Sequence, residues 1–450
     1  MSRKQTSGLR FQSAREPANR GLPVGKKQQL NIERIAHDGR GIALVQQRTW
    51  FVAGALPDEQ VTARVLTSKG KTVDAQVISV EQASAQREQV FCTYAGNCGG
   101  CTLQHMPQAM QRDFKQEYLL NQLERAGVST PELEPMLMAP PDGYRRRARL
   151  AVRVNKAGKL ELGFRALASQ RIVEITECPI LVAPLQQLLQ QLPSVISKIK
   201  TPRALGHLEL FFGNQVALLV RLNAPLPAVD VQLFIEFCHQ QQIQLWWQDK
   251  EHPRPQQSGQ NLFYTLPAYG LEIDYQPGDF VQVNAELNQQ MVEQALAWLQ
   301  PQTTDTVLDL FCGLGNFSLP LAQKVAKVSA VEGVASMVER ARNCAKRQGI
   351  DNVEFYQHDL NSDVHKASWA RQYDLLLLDP PRDGARSLVG QLEPFAARKV
   401  LYVSCNPATL ARDAAVIQQQ GYQLQRLSAL DMFSQTGHVE AMALFELRSK

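Results

Sequence analysis

The sequence predicts an α/β carboxyl-terminal domain of Rossmann-like, doubly wound type, preceded by a central mostly-β domain and an amino-terminal OB-like β-barrel. Three observations carry this prediction. After Phe280, strand-like and helix-like runs alternate regularly, the pattern of a mostly parallel sheet with helices on both faces. Between Lys27 and Glu81, short β segments are separated by Gly, Asp and Pro turn signals, as in a small barrel. Between these regions lies a stretch of mixed character that carries four clustered cysteines. A chain of 450 residues can bury two or three separate cores.

Composition narrows the function classes. Hydrophobic residues make up 44% and charged residues 20%, the ordinary globular range. No apolar run approaches the ~18 residues of a membrane helix, so no membrane association is expected. The segment Met1–Lys27 is polar with scattered Arg and Lys and has no apolar core. It reads as neither a signal peptide nor an anchor but as a disordered basic leader over 1–26, or else an arm that touches nucleic acid. A net charge of +5 is mild, so nucleic-acid affinity must come from local patches. The eight cysteines, without an export signal, suggest a reducing cytoplasmic compartment and metal ligands or catalysts rather than disulfides.

In chain order, the barrel occupies 27–81, with strands expected at Gln29–Ile35, Thr49–Val52, Val61–Leu66 and Thr72–Val80. Lys27, Arg34, Arg40, Arg48, Lys69 and Lys71 make it basic. The stretch Ile32–Gly41 and the run Val52-Ala53-Gly54-Ala55-Leu56-Pro57 resemble the TRAM domain, which implies an RNA-gripping barrel. The central domain spans 82–279. Its helix over 108–127, with Met110, Phe114, Tyr118 and Leu119 near a 3.6 period and Gly127 closing it, is free to pack on the carboxyl-terminal domain. Within Tyr144–Val154, strand alternation puts Arg145, Arg147, Arg149 and Arg153 on one face, a stripe for phosphates or a solvated surface. The domain 280–450 carries strands at Thr306–Phe311, Lys327–Glu332, Val353–Asp359, Asp374–Asp379 and Lys399–Ser404, and helices at Ser336–Gln348 and Ala408–Gln420. The final runs, Tyr422–Leu430 and Val439–Leu447, lack an intervening helix and must pair antiparallel.

The first of these strands runs into Phe311-Cys312-Gly313-Leu314-Gly315-Asn316-Phe317-Ser318, a Gly-rich turn that lets backbone approach a ligand at the carboxyl edge of the sheet. Glu332, 23 residues after Asp309, ends the second strand, where a carboxylate can accept ribose hydroxyls. A dinucleotide site would want a third Gly where Ser318 stands. The block Asp-x-Phe-x-Gly-x-Gly with an acid after the second strand resembles class I methyltransferases. That resemblance implies S-adenosylmethionine, with Phe311 and Asn316 at its methionine end, Glu332 on the ribose and Asp359 toward the adenine.

Two further loops lie at the same edge: Leu378-Asp379-Pro380-Pro381-Arg382 and Val403-Ser404-Cys405-Asn406-Pro407. An Asp-Pro-Pro loop alone would suit alkylation of an exocyclic amine, which requires no thiolate. Cys405 points elsewhere. Carbon 5 of uracil becomes nucleophilic only after a thiolate adds at carbon 6, and a base must later remove the carbon 5 proton. Cytosine-5 enzymes of RNA carry a cysteine in the strand-four loop too, and here that loop has none. For the base, His438 and Glu440 are both candidates, and Glu440 stands on an otherwise apolar strand face.

Ser404-Cys405-Asn406-Pro407, Asp379-Pro380-Pro381-Arg382 and Asp431-Met432-Phe433-x-Gln435-Thr436-x-His438-Val439-Glu440 together resemble the RNA uracil-5-methyltransferases over nearly the whole chain after Lys27. The resemblance implies Cys405 as nucleophile, Glu440 as proton acceptor, Gln282 as a cofactor contact and Asp379 as a cofactor-site or substrate carboxylate. Phe280 is a candidate stacking partner for a base flipped out of RNA.

Cys92-x5-Cys98-x2-Cys101, followed 77 positions later by Cys178-Pro179, can surround one metal centre, and zinc and iron–sulfur both accept four thiolates. The family resemblance implies a [4Fe-4S] cluster, with zinc as the alternative. The barrel and the cysteines together resemble the large-subunit branch of the family. They imply 23S rRNA or a pre-ribosomal particle as partner and a monomer as the working form, with another rRNA uridine, a tRNA uridine or a non-catalytic assembly role as rival readings.

Overall fold

The computed structural model describes residues 21–259 and 261–448, so most of the expected leader lies outside the described residues. The chain divides into two compact units that meet between Arg87 and Glu88.

The first unit holds one six-stranded sheet in the order Lys27–Asn31, Gln60–Lys69, Thr72–Gln82, Arg48–Ala53, Gly41–Val45, Arg34–Ile35. Its alternating apolar residues, among them Leu30, Ala43, Trp50, Val52, Val61 and Val73, close on one core. The single strand expected over Gln29–Ile35 is two strands. The chain breaks at Ile32, whose N–H leaves the ladder for the Glu59 carbonyl at 2.9 Å. Of the six basic residues, Arg40 is held by Asp38 and Asp74, each at 2.7 Å, and lies over the Phe51 ring.

The second unit contains a central sheet and a carboxyl-terminal sheet. The central sheet has seven strands, ordered Arg254–Pro255, Gln244–Gln248, Val216–Leu222, Leu205–Phe212, Arg147–Val154, Leu160–Arg165, Ile172–Glu174. Helices Ala183–Ile196 and Ala228–Gln240 share a core with it through Leu185, Leu189 and Phe234 against Leu150, Leu208 and Leu218. The predicted alternation is present: Ala148, Leu150 and Val152 are buried while Arg149 and Arg153 face out. The stripe is not free for phosphate, however. Arg147 and Arg149 both reach Glu209 on the neighbouring strand, at 3.1 and 3.4 Å, and Arg153 reaches Glu161 at 2.7 Å. Two cross-strand carboxylates thus pair three of the four guanidiniums, Glu209 being shared by two of them.

The carboxyl-terminal sheet consists of β1 (Thr306–Leu310), β2 (Lys327–Glu332), β3 (Val353–Gln357), β4 (Leu375–Leu378), β5 (Lys399–Ser404), β6 (Tyr422–Leu430) and β7 (Glu440–Leu447), in the order β3-β2-β1-β4-β5-β7-β6. β1 to β5 are parallel, and β7 runs antiparallel between β5 and β6. Apolar clusters fill both faces, as a sheet wrapped by helices requires. Three strands stop one or two residues short of expectation, because Phe311, Asp359 and Asp379 already belong to the loops at the carboxyl edge. The hairpin Leu262–Leu266/Leu271–Tyr275 lies before the boundary expected at 279/280. It nonetheless buries Leu262, Tyr264 and Ile273 in the same core as Val307, Val328 and Leu375.

Helix Gln108–Arg125 ends at Gly127, whose φ of +70° is the left-handed conformation that closes a helix. It packs on helix Pro407–Gln419, and its Leu119 and Leu123 join the core of Leu410 and Ala414. Gln111 and Lys115 also point to this buried face, where apolar periodicity alone would not place them.

Candidate active site

The site assembles where β1, β2, β4 and β5 end and β7 begins. Phe311, the first residue past β1, has φ of +63°, a strained conformation for a bulky residue that bends the chain sharply into the loop. Gly313 and Gly315 follow at φ +56° and +90°. A side chain at Gly315 would also press to 3.2 Å on Leu319, so glycine is needed there for both conformation and space. The loop leads into the short helix Ser318–Ala322. Glu332, at the end of β2, accepts the Gly313 N–H at 3.2 Å and the Val334 N–H at 2.9 Å, which fixes its carboxylate beside the loop. Asn316 exchanges two 2.9 Å hydrogen bonds with Asn288 and accepts another from the Tyr264 hydroxyl at 2.9 Å. Sequence reasoning missed Asn288 and Tyr264, since neither lies in a recognisable motif.

Two buried carboxyl groups flank this loop. Asp309 is fully buried, accepts the Ser318 hydroxyl at 2.5 Å, and is pushed up to about 7 by burial. Asp379, half-buried, is likewise pushed up to about 7 by loss of water. Gln282 is buried, and its Oε1 has no hydrogen-bond partner. Its carbonyl accepts from Arg146 Nε at 2.7 Å, and that guanidinium lies 4.5 Å from the Tyr264 ring. Arg146 breaks the alternation of the arginine-rich strand, the one signal that could have singled it out. Asp359 sits past β3, exposed, with its carboxylate turned to the N–H and side-chain amide of Asn361 at 3.0 and 3.1 Å.

Cys405 follows β5 directly. Asn406 caps the next helix through the Ala408 N–H at 3.1 Å and binds the Arg382 carbonyl through Nδ2 at 3.1 Å, clasping the two substrate loops together. Asp413 braces the second loop through the Ala385 N–H and the Tyr402 hydroxyl, both at 2.7 Å. Because β7 pairs antiparallel with β5, with Ser404 opposite Ala441, its first residue is brought beside Cys405. That residue is Glu440, 4% exposed, with Oε2 unpartnered. Burial pushes its carboxyl up to about 8, reinforced by the charge of Asp379. The Cys405 thiol is pushed up to about 11, by desolvation first and then by the negative charges of Glu440 and Asp379, with Arg382 opposing. His438 is exposed, and partial desolvation and the cations Arg382, Lys115 and Arg145 hold its pKa below the usual histidine range.

Cys405 opens onto a cavity of about 750 Å³ between the central and carboxyl-terminal parts of this unit. Arg145, Arg165 and Arg382 line it, together with Arg149, which Glu209 engages, and with Glu177 and His438, so that the wall carries more positive than negative charge and suits a polyanion. Cys92, Cys98, Cys101 and Cys178 line the same cavity. Among the described residues, no group of three or more His, Cys, Asp or Glu is arranged to hold a metal ion. Phe280, near Gln282, is 64% exposed.

A family model described as tRNA (Uracil-5-)-methyltransferase matches residues 259–448, and a TRAM domain model matches 22–78. A Pseudomonas putida protein named 23S rRNA (uracil(1939)-C(5))-methyltransferase RlmD is 52% identical over 447 residues, 99% of each chain. This chain belongs to the RNA uracil-5-methyltransferases. A similarly named Pseudomonas aeruginosa relative is 51% identical over 98% of this chain and 99% of its own. Among solved structures, the Pyrococcus abyssi tRNA (uracil-54, C5)-methyltransferase in complex with S-adenosyl-L-homocysteine matches with a TM-score of 0.72 at 23% identity. The match covers 93% of this chain and 100% of that one, and shows the shared fold. The uracil-5-methyltransferase model begins at residue 259, so it takes in the hairpin that carries Tyr264. No helix among the described residues is long and apolar enough to cross a membrane.

Proposed function

We propose that this protein transfers a methyl group from S-adenosylmethionine to carbon 5 of a uridine in 23S rRNA, yielding 5-methyluridine. By the names of its relatives, the target is the base numbered 1939. The observation that carries the mechanism is the antiparallel register that sets buried Glu440 beside Cys405 at the edge holding the Gly-rich loop.

In this reading Cys405 Sγ, as thiolate, adds to carbon 6 of the flipped uracil and shifts electron density through carbon 5 onto the carbon 4 oxygen. The bound methyl donor supplies an electrophilic methyl on a positively charged sulfur. Carbon 5 takes the methyl, and the electron pair of the broken bond stays on sulfur. Glu440, as carboxylate, then removes the carbon 5 proton while the carbon 6–sulfur bond breaks, which restores the ring double bond and frees Cys405. Glu332 holds the ribose, Phe311 and Asn316 the methionine end, and Asp359 the adenine side. Gln282, with its unpartnered Oε1, and Asp379 face the reacting groups. The pocket suits that donor: polar atoms of Gln282 and Glu440 lie buried without partners, and Asp379 raises the carboxyls of both Asp309 and Glu440, a repulsion that a bound cation would relieve. Phe280, exposed near that pocket, stacks on RNA.

The four cysteines around the shared cavity are the donor set of a [4Fe-4S] cluster. Burial and mutual repulsion raise Cys101 to about 11 and Cys178 to about 12, so four thiolates there require a compensating cationic centre. Zinc is the alternative occupant, since it too accepts four thiolates. The protein works in the cytoplasm as a monomer, with the barrel gripping RNA. Incubation with radiolabelled donor and either 23S rRNA or tRNA, followed by mapping of the methylated base, tests the assignment. Label at the numbered rRNA uridine is expected, and label confined to tRNA would transfer the same chemistry to the substrate named for the solved Pyrococcus enzyme.

A further inference from the structure

The segment between β6 and β7 ends on Glu440, yet residues some three hundred positions earlier hold it in place. Asp431, Ser434, Gln435 and Thr436 are all buried. Lys115 Nζ, itself fully buried, donates to Asp431 Oδ1 at 2.5 Å and to the Phe433 carbonyl at 3.3 Å. The other Asp431 oxygen accepts the Ser434 hydroxyl at 2.8 Å. One turn earlier on the same helix, Gln111 accepts the Gln435 N–H at 3.2 Å and donates to Gln435 Oε1 at 3.1 Å. The Gln435 carbonyl accepts from the N–H groups of Thr102 and Leu103, at 2.9 and 3.0 Å, and Tyr144 donates to the Ser434 carbonyl at 3.2 Å. Gln435 is left-handed, at φ +68°, a conformation that a non-glycine residue keeps only when its surroundings impose it.

A buried ion pair and a reciprocal amide pair are a costly way to pack a helix, because apolar side chains of similar volume would pack at least as well. What they add is direction. They fix the height and rotation of the loop that delivers Glu440. The Cys405 loop is clasped instead to the Asp379 loop through Asn406 and Arg382, the Asp379 loop is braced by Asp413, and the Gly-rich loop is held by Glu332 and Ser318.

We propose that Lys115 and Gln111 are positioning residues for proton removal, clamping the loop so that the Glu440 carboxylate meets the carbon 5 hydrogen after methyl transfer. This rests on the reading of Glu440 as the base, and it separates the late step of the reaction from the early ones. Disturbing the clamp should leave thiolate addition and methyl transfer nearly intact and slow the breakdown of the covalent intermediate.

The test uses the full chain, a 23S rRNA fragment and S-adenosylmethionine under single-turnover conditions, with adduct and released product followed on denaturing gels. The paired substitution Lys115→Met with Asp431→Asn removes both charges together, so that neither is left buried alone. Gln111→Ala is the second variant. Each is expected to form adduct within about threefold of the unaltered protein and to release product at least roughly tenfold more slowly, so that adduct accumulates. Adduct formation and release falling in parallel, or release at the unaltered rate, would overturn the inference. Should the paired variant not fold, Gln111→Ala decides by the same two readouts. An unaltered protein that forms no adduct would instead remove the mechanism itself, a result distinct from failure of the clamp.

Discussion

At the scale of single residues, the reaction is a problem of placing negative charge where protein has removed water. Cys405 must become a thiolate with Glu440 and Asp379 close by, and each of the three raises the cost of ionising the others. Replacing Glu440 with Gln removes one of those charges without changing shape. The Cys405 pKa should then fall, and its alkylation by iodoacetamide at about pH 9, where the native Glu440 carboxyl is ionised, should speed up. Arg382→Ala should act in the opposite sense, because it withdraws the cation that favours the thiolate. S-adenosylmethionine should accelerate the same alkylation more than neutral S-adenosylhomocysteine does, provided the reagent still enters. With RNA present, Glu440→Gln should accumulate a covalent adduct, since addition and methylation can proceed while proton removal stalls. A gel showing intact RNA binding and no adduct would remove Glu440 from that role. Cys405 and Glu440 were both legible in the sequence, because a thiol between Ser404 and Asn406-Pro407 and an acid on an apolar strand face are each anomalous. The charge coupling between them was not legible, because it depends on the register of two strands separated by a helix.

At the scale of elements, the parallel strands bring five loops to one edge, and an antiparallel β7 adds a sixth contribution from its start. The cofactor loop is rigid because glycine geometry, the Glu332 carboxylate and the Asn316–Asn288 pair fix it from three sides. Glu332→Ala should weaken S-adenosylmethionine binding about tenfold or more, the loss of charge-assisted hydrogen bonds of roughly 1.5–3 kcal/mol. Asp359→Ala should weaken it less, because that carboxylate is engaged by Asn361. Calorimetric titration of both variants checks the order. Alternation of strand and helix was readable from periodicity, but strand bounds were less so: three strands end early where residues turn into the carboxyl-edge loops, Gln29–Ile35 is split in two, and Gly41–Val45 carried no clear signal. The arginine stripe, which periodicity offers as a phosphate contact or a solvated surface, is tied into ion pairs across the sheet. Periodicity shows which face a residue takes but not that Glu209 and Glu161 wait opposite on neighbouring strands. Helix Gln108–Arg125 was read as a helix with Phe114 and Leu119 on its buried side, but periodicity did not reveal that the polar Gln111 and Lys115 are buried there too.

At the scale of the whole molecule, the site is built at the expense of stability. Asp309, Asp379 and Glu440 all have folded-state pKa values above their ordinary ones, at about 7, 7 and 8. The folded state therefore favours their protonated forms. Their contribution to stability is fully present below the ordinary carboxylate range and is lost as pH rises through about 7 to 8. Protein free of S-adenosylmethionine should thus melt at lower temperature near pH 8.5 than near pH 6, roughly. Asp309→Asn, which keeps a partner for Ser318, should flatten that decline, and an unchanged slope would mean that Asp309 is not the group being titrated. The four cysteines make a second demand on the fold, and anaerobically purified protein should contain iron and sulfide with broad visible absorption that Cys178→Ser removes; colourless protein containing zinc would replace the cluster. The central claim, that uracil is methylated while bonded to the protein through sulfur, is tested most directly with RNA carrying 5-fluorouridine at the target. Fluorine cannot leave carbon 5 as a proton does, so the methylated adduct should persist as a slow band on a denaturing gel, dependent on S-adenosylmethionine and absent with Cys405→Ala. No such band from active enzyme, or a band that survives the loss of Cys405, would contradict it.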